Sequence, residues 1–99
     1  MSEHEKRDAY LQKLDARLDE WKAEIDKLRA KAEGVDADAK VKYHETIADL
    51  IERREKLMKQ ADEMREAGES TWHKMRETAE QYWKDMSAAT EAAWKKWFS

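Results

Sequence analysis

The sequence predicts an all-α chain of long amphipathic helices, and three observations carry that expectation. Ala, Glu, Lys, Leu and Arg make up more than half of the 99 residues, proline is absent and glycine occurs twice, a composition that favours long helices or coiled coils. Apolar residues recur at alternating intervals of three and four along most of the chain, the spacing of a coiled-coil seam. Trp72, Trp83 and Trp94 stand eleven residues apart. Eleven residues are almost three helical turns, so the three indoles drift only about 20° around one helix and share a face.

The first element is marked by Leu11, Leu14, Leu18, Trp21, Ile25, Leu28, Ala32 and Val35, a seam that runs for more than three heptads. The second is marked by Tyr43, Ile47, Leu50, Leu57, Ala61 and Met64, with Arg54 in one seam position and Ile51 and Met58 widening the stripe. In the third, Trp72, Met75, Ala79, Tyr82, Met86, Ala89 and Ala93 are flanked by Trp83, Trp94 and Trp97. That apolar face is broader than a two-stranded seam and calls for more than one neighbour.

Two breaks divide these runs. In "EAGESTW", Gly68 is expected just past a helix end and Ser70 as an N-cap; in "AEGVDADAK", Gly34 and Asp36 are expected in the same two roles, each glycine in the left-handed conformation of a helix stop. The result is one helical domain over residues 1–99, with helices at 4–33, 36–67 and 70–98, each about 45 Å long. Three near-equal rods suit an antiparallel three-helix bundle or coiled coil. The alternative is a continuous helix of about 60 residues through Gly34, plus a shorter returning helix, self-associating to cover the exposed stripe. Equal lengths and the Asp36 cap place the bundle ahead.

Charge fills the remaining faces. Acid-to-base pairs four apart, Asp36 with Lys40, Asp38 with Lys42, Asp49 with Arg53, Glu52 with Lys56, Glu55 with Lys59, Glu80 with Lys84 and Glu91 with Lys95, read as a solvated helical surface. Leu, Ile, Val and Phe number only 12, but 20 basic residues nearly cancel 23 acidic ones, so the low apolar content is not matched by the high net charge of a disordered chain. A net charge of −3 argues against nucleic acid as a partner, because that grip needs a basic stripe along the phosphates.

The same inventory argues against an enzyme, a cofactor or a metal centre. There is no glycine-rich phosphate loop and no nucleophile at a motif spacing from a base, and the carboxylates lie among lysines that keep them ionised. Cysteine is absent, so neither a disulfide nor a thiolate site is available. His73 and Glu77 read as an exposed helical pair, and His44 beside Glu45 offers less still, since a metal needs three or four convergent ligands. After removal of Met1, Ser2-Glu3-His4 would form the square-planar Cu(II) or Ni(II) chelate of any chain so beginning, and no biological role is assigned to it. The opening "MSEHEKRDAY" lacks the apolar core of a signal peptide, and no run approaches the roughly 20 apolar residues of a membrane span. The expected location is the cytoplasm, with peripheral membrane contact as the variant.

The candidate interaction surface is Trp72, Trp83, Trp94, Trp97 and Phe98. One reading packs the indoles inside a helical interface, where their area compensates for the many alanines opposite. The other makes the last helix a surface-seeking amphipath, with Lys84, Lys95 and Lys96 near lipid phosphates. Residues 70–99 hold five basic and four acidic side chains, so only apolar insertion could drive it.

The segments "YLQKLDARLDEWKAEIDKLRAKAE", "ADAKVKYHETIADLIERREKLMKQADEMREA" and "TWHKMRETAEQYWKDM" together resemble a group of short bacterial coiled-coil proteins linked to stress responses. The eleven-residue repeat is also similar to the amphipathic elevens of exchangeable apolipoproteins. The first resemblance implies a small bacterial stress-linked helical protein and brings no catalytic residues with it. The expectation is therefore a non-enzymatic helical interaction protein acting through an amphipathic stripe, as a homo-oligomer or with another helical protein. The alternative is a peripheral protein that binds a membrane surface through its Trp-rich last helix.

Overall fold

The computed structural model describes residues 2–68 and 71–98, with the side chain of Phe98 outside the description. The chain forms three helices, α1 (Glu3–Ala32), α2 (Ala37–Glu66) and α3 (Trp72–Phe98). They fold back on one another into a rod of 53 × 20 × 17 Å. The chain turns between Ala32 and Ala37, so the architecture is the three-helix bundle and not the continuous helix.

Each start and stop has a local cause. Ser2 is the N-cap of α1, its hydroxyl accepting from the Glu5 N–H at 3.1 Å. The sequence signal was present in Ser2-x-x-Glu5, the pattern of a capping box. Asp36 caps α2, its carboxylate accepting from the Ala39 N–H at 2.9 Å. Asp38 lies in that first turn, and Arg29 and Lys31 in the last turn of α1, charges of the right sign for the helix dipoles. The expected N-cap Ser70 lies outside the described residues.

The glycines correct one expectation. Gly34 follows the C-cap Glu33, yet neither Gly34 nor Gly68 has positive φ. Instead the chain tightens: the Gly34 N–H bonds to the Lys31 carbonyl at 3.2 Å and the Val35 N–H to that of Ala32 at 3.5 Å. These three-residue closures satisfy end carbonyls without a left-handed residue. At the other break, Arg7 on α1 donates to the Ala67 carbonyl at 2.9 Å and ties the end of α2 to the start of the bundle.

The seam of α1 is buried from Leu11 to Ala32; Val35, beyond the helix, is half-buried. On α2 the buried residues are Ile47, Leu50, Leu57, Ala61 and Met64. Arg54 fills the seam position between Leu50 and Leu57 with its stem, and its Nε donates to the Leu18 carbonyl at 3.0 Å. That position divides the core. Leu57, Ala61 and Met64 join Leu11, Leu14, Leu18, Trp21, Trp72, Ala79 and Met86, whereas Ile47 and Leu50 join Ile25, Leu28 and Ala32. On α3 the buried set is Trp72, Ala79, Met86, Thr90 and Ala93, with Met75, Tyr82 and Ala89 half-buried.

Candidate functional site

Three indoles of the candidate surface are turned to α1 or the core, and one is turned to α2. Trp72 is 1 % exposed and sits in the core, against Tyr10 with ring centroids 6.4 Å apart. Trp83 meets the edge of Trp21 at 5.5 Å and 80°, and the Arg17 guanidinium lies 4.6 Å from its ring. Trp94 donates from its indole N–H to Glu24 at 3.2 Å, with the Lys31 ammonium 6.0 Å from the ring. Trp97 stacks on Tyr43 of α2 at 3.9 Å. Trp72 is buried while Trp83 and Trp94 are half-buried. The eleven-residue repeat turns each indole about 20° from the last, so the three need not reach the same depth.

α1 and α3 run parallel, and a constant offset relates them. Glu3 meets His73, Tyr10 meets Glu80 and Glu24 meets Trp94, each pair 70 residues apart. Because α2 packs closely on both neighbours and α1 approaches α3 less closely, this third interface is spanned by large rings and long polar chains rather than by close backbones.

Its centre is polar. The Tyr10 hydroxyl donates to Glu80 Oε1 at 2.7 Å, and Arg17 Nη1 donates to the same oxygen at 2.9 Å. Burial raises the Tyr10 phenol far above its usual range, and the Glu80 carboxylate adds to the rise. For Glu80, burial pushes upward, but the hydrogen bonds from Tyr10 and Arg17 outweigh it and hold the carboxyl below its usual 4.5. The expected partner Lys84 is not used. His73 likewise leaves Glu77 for Glu3: its Nε2 lies 2.5 Å from Glu3 Oε2, and its ring stacks on Trp72 at 4.1 Å. That contact is the main cause holding the Glu3 carboxyl below its ordinary range.

The charge pairs Asp49–Arg53, Glu52–Lys56 and Glu91–Lys95 form as four-residue contacts at 2.9, 3.7 and 3.0 Å. Lys40 instead reaches Glu33 at 3.5 Å. A cleft between α2 and α3 is lined by Asp49, Glu52, Arg53, Lys56, Tyr82 and Asp85, and its carboxylates at 49 and 52 are held by Arg53 and Lys56. Among the described residues no group of three or more His, Cys, Asp or Glu could hold a metal ion. Ser2, Glu3 and His4 belong to the cap and first turn of α1, so the copper chelate would require that turn to unwind; Met1 lies outside the described residues. Among those residues, no helix is long and apolar enough to cross a membrane.

Two polar atoms are buried with no hydrogen-bond partner among the described residues, the Trp72 indole nitrogen and the Thr90 hydroxyl. Sequence spacing had pointed to Ala89 rather than Thr90, since either fits between Met86 and Ala93 on a seam. The class defined by this fold and site is an all-α three-helix bundle with an aromatic and polar α1–α3 interface. No family model, curated protein or solved structure matches the chain.

Proposed function

We propose that this chain is a non-enzymatic helical interaction protein, working by packing one amphipathic stripe within its bundle and presenting another to a helical partner. The observation that carries the reading is the engagement of the indoles. Trp83 lies on Trp21 and Arg17, Trp94 on Glu24, and Trp97 on Tyr43. A membrane-seeking tail would have to give up the Trp94 and Trp97 contacts before inserting, losing aromatic packing and a hydrogen bond. The likeness to short bacterial stress-linked coiled-coil proteins extends the proposal to a stress response in the bacterial cytoplasm, where another helical protein or a second copy is the partner.

Lipid vesicles test the reading. In buffer the tryptophan emission is blue-shifted, neutral vesicles at physiological salt leave it unchanged, and the protein stays in the supernatant. Removing residues 94–99 lowers the melting temperature, because Trp94 and Trp97 pack against the cluster of Ile25, Leu28, Ala32, Ile47 and Leu50. Strong co-sedimentation of the intact protein, lost on that truncation with the melting temperature intact, would replace this reading with the peripheral-membrane one.

A further inference from the structure

α2 carries a second heptad row beside its buried one, exposed from Ala37 to Ala48 and again at Met58, while Ile51 packs against the core. Ala37, Val41, His44, Ala48, Ile51 and Met58, with Glu55 completing the series, alternate intervals of four and three without a break. His44, Ala48, Ile51 and Met58 each follow an inner-row position by one residue, which turns this row about 100° from the core. Val41 is 59 % exposed and Met58 39 %; among the described residues these are the large hydrophobic side chains left exposed, and both fall on this row. Ala37, His44 and Ala48 are exposed as well, and with Val41 they line a shallow hollow that Lys40 and Glu45 complete. Alternating three and four is the spacing at which one helix receives the side chains of another.

The charges around the row select the occupant. Asp38, Glu45 and Glu52 succeed one another along its solvent flank before Lys59 closes it, and Glu55 stands within it. Among the described residues Asp38, Glu45 and Glu55 have no ion-pair partner; of the cations beside the row, Lys40 is held by Glu33 and Arg54 by the Leu18 carbonyl. A second copy fits this face poorly. Parallel pairing would set Glu55 against its counterpart, and antiparallel pairing about Ala48 would bring the carboxylates at 45 and 52 together across the contact.

We propose that the outer row of α2 is a docking face for a cationic amphipathic helix, apolar at alternating three- and four-residue spacing and carrying lysine or arginine beside that stripe. Its apolar residues sit in the hollow from Ala37 to Ala48, and its cations meet Asp38, Glu45 and Glu55. This inference rests on the reading of the chain as a helical interaction protein.

The test uses the full chain and two synthetic helical peptides of 21 residues, roughly the span from Ala37 to Met58. Both carry leucine at the alternating spacing; one has lysine at the flanking positions and the other glutamate. Titration followed by peptide-label anisotropy should show binding of the lysine peptide that weakens as salt rises, and none of the glutamate peptide. Val41→Lys should weaken the lysine peptide about tenfold or more, with an unchanged melting temperature because the side chain is exposed. Glu55→Lys should weaken it as well. Equal binding of the two peptides, or wild-type affinity in Val41→Lys, overturns the proposal. Concentration-dependent self-association that Val41→Lys abolishes would also overturn it and give the face to a second copy. Failure of the wider reading shows elsewhere, as vesicle sedimentation lost with residues 94–99 and indifferent to Val41→Lys.

Discussion

The phenol of Tyr10 donates to the carboxylate of Glu80 at 2.7 Å, at the same 70-residue offset that sets His73 beside Glu3 and Trp94 beside Glu24. Those positions on α1 differ by multiples of seven, so the two parallel helices stay in phase along the rod. The Tyr10–Glu80–Arg17 cluster is thus the middle of a register and not an isolated contact.

Glu80 gives that register an acid dependence. Its folded-state pKa lies below the ordinary 4.5, so the stability it adds is complete above that value and is lost as the pH falls through the lower, folded one. Melting temperatures measured between about pH 5 and pH 2 should fall more steeply for the wild type than for Glu80→Gln. Parallel curves would mean that the carboxylate is held no better folded than unfolded.

Tyr10 makes the opposite demand. Its pKa is raised above the ordinary 10.0 by burial and by Glu80, so its contribution is present below that pH and disappears as the pH rises from there toward the folded value. Tyr10→Phe should remove a phenolate step from the high-pH end of the ultraviolet absorbance titration. Loss of this hydrogen bond should cost about 1 kcal/mol at neutral pH, since Glu80 keeps Arg17. An unchanged high-pH end would place the phenol in water.

Arg54 interrupts the core between Leu50 and Leu57. Arg54→Met should join the two apolar clusters and raise stability by about 1 kcal/mol, because an unbranched apolar chain fills the stem's path without a guanidinium to satisfy. Urea denaturation would measure it, and a loss of that size would show that the bond to the Leu18 carbonyl outweighs the added burial.

Thr90 is 5 % exposed, and its hydroxyl has no hydrogen-bond partner among the described residues. Thr90→Val keeps the shape and removes the orphan group, so a gain of about 1 kcal/mol is expected in the same assay. A destabilised variant would reveal a partner for the hydroxyl.

Gly34→Ala should be neutral or stabilise by up to about 1 kcal/mol through the unfolded chain. Its φ is not positive, and an added Cβ would meet the Lys31 carbonyl at 3.6 Å, an ordinary contact. The substitution therefore does not distinguish a bundle from a continuous helix, as it would if the glycine were left-handed. A marked loss of melting temperature would restore the left-handed stop.

The parts of this fold legible in the sequence are those that one helix decides alone. The seam from Leu11 to Ala32 follows from spacing, and the cap at Asp36 from a side chain that accepts its own helix's N–H. What could not be read depends on a neighbour. The elevens place Trp72, Trp83 and Trp94 on one face of α3 but say nothing of which helix each touches. Glu80 prefers Arg17 and Tyr10 across the bundle to Lys84 on its own helix, because partners in a partly desolvated interface hold it better than an exposed lysine. Glycine past a helix end permits a left-handed residue without requiring one, and at Gly34 the chain found another closure. On α2, Ile51 and Met58 were legible as a broader stripe; that Val41 and Met58 remain exposed needed the placement of α1 and α3.

Three helices are an odd number, so the chain enters the rod at one end, beside Glu3, and leaves it at the other, beside Trp97. A load drawn between those residues pulls α1 and α3 past each other lengthwise. The contacts at Glu3–His73, Tyr10–Glu80 and Glu24–Trp94 then bear the strain together, as rungs in shear, instead of parting one after another as in a peeled hairpin. The molecule is accordingly a rod about 5 nm long, in which the α1–α3 rungs are loaded in shear together with the closer interfaces that α2 makes on either side.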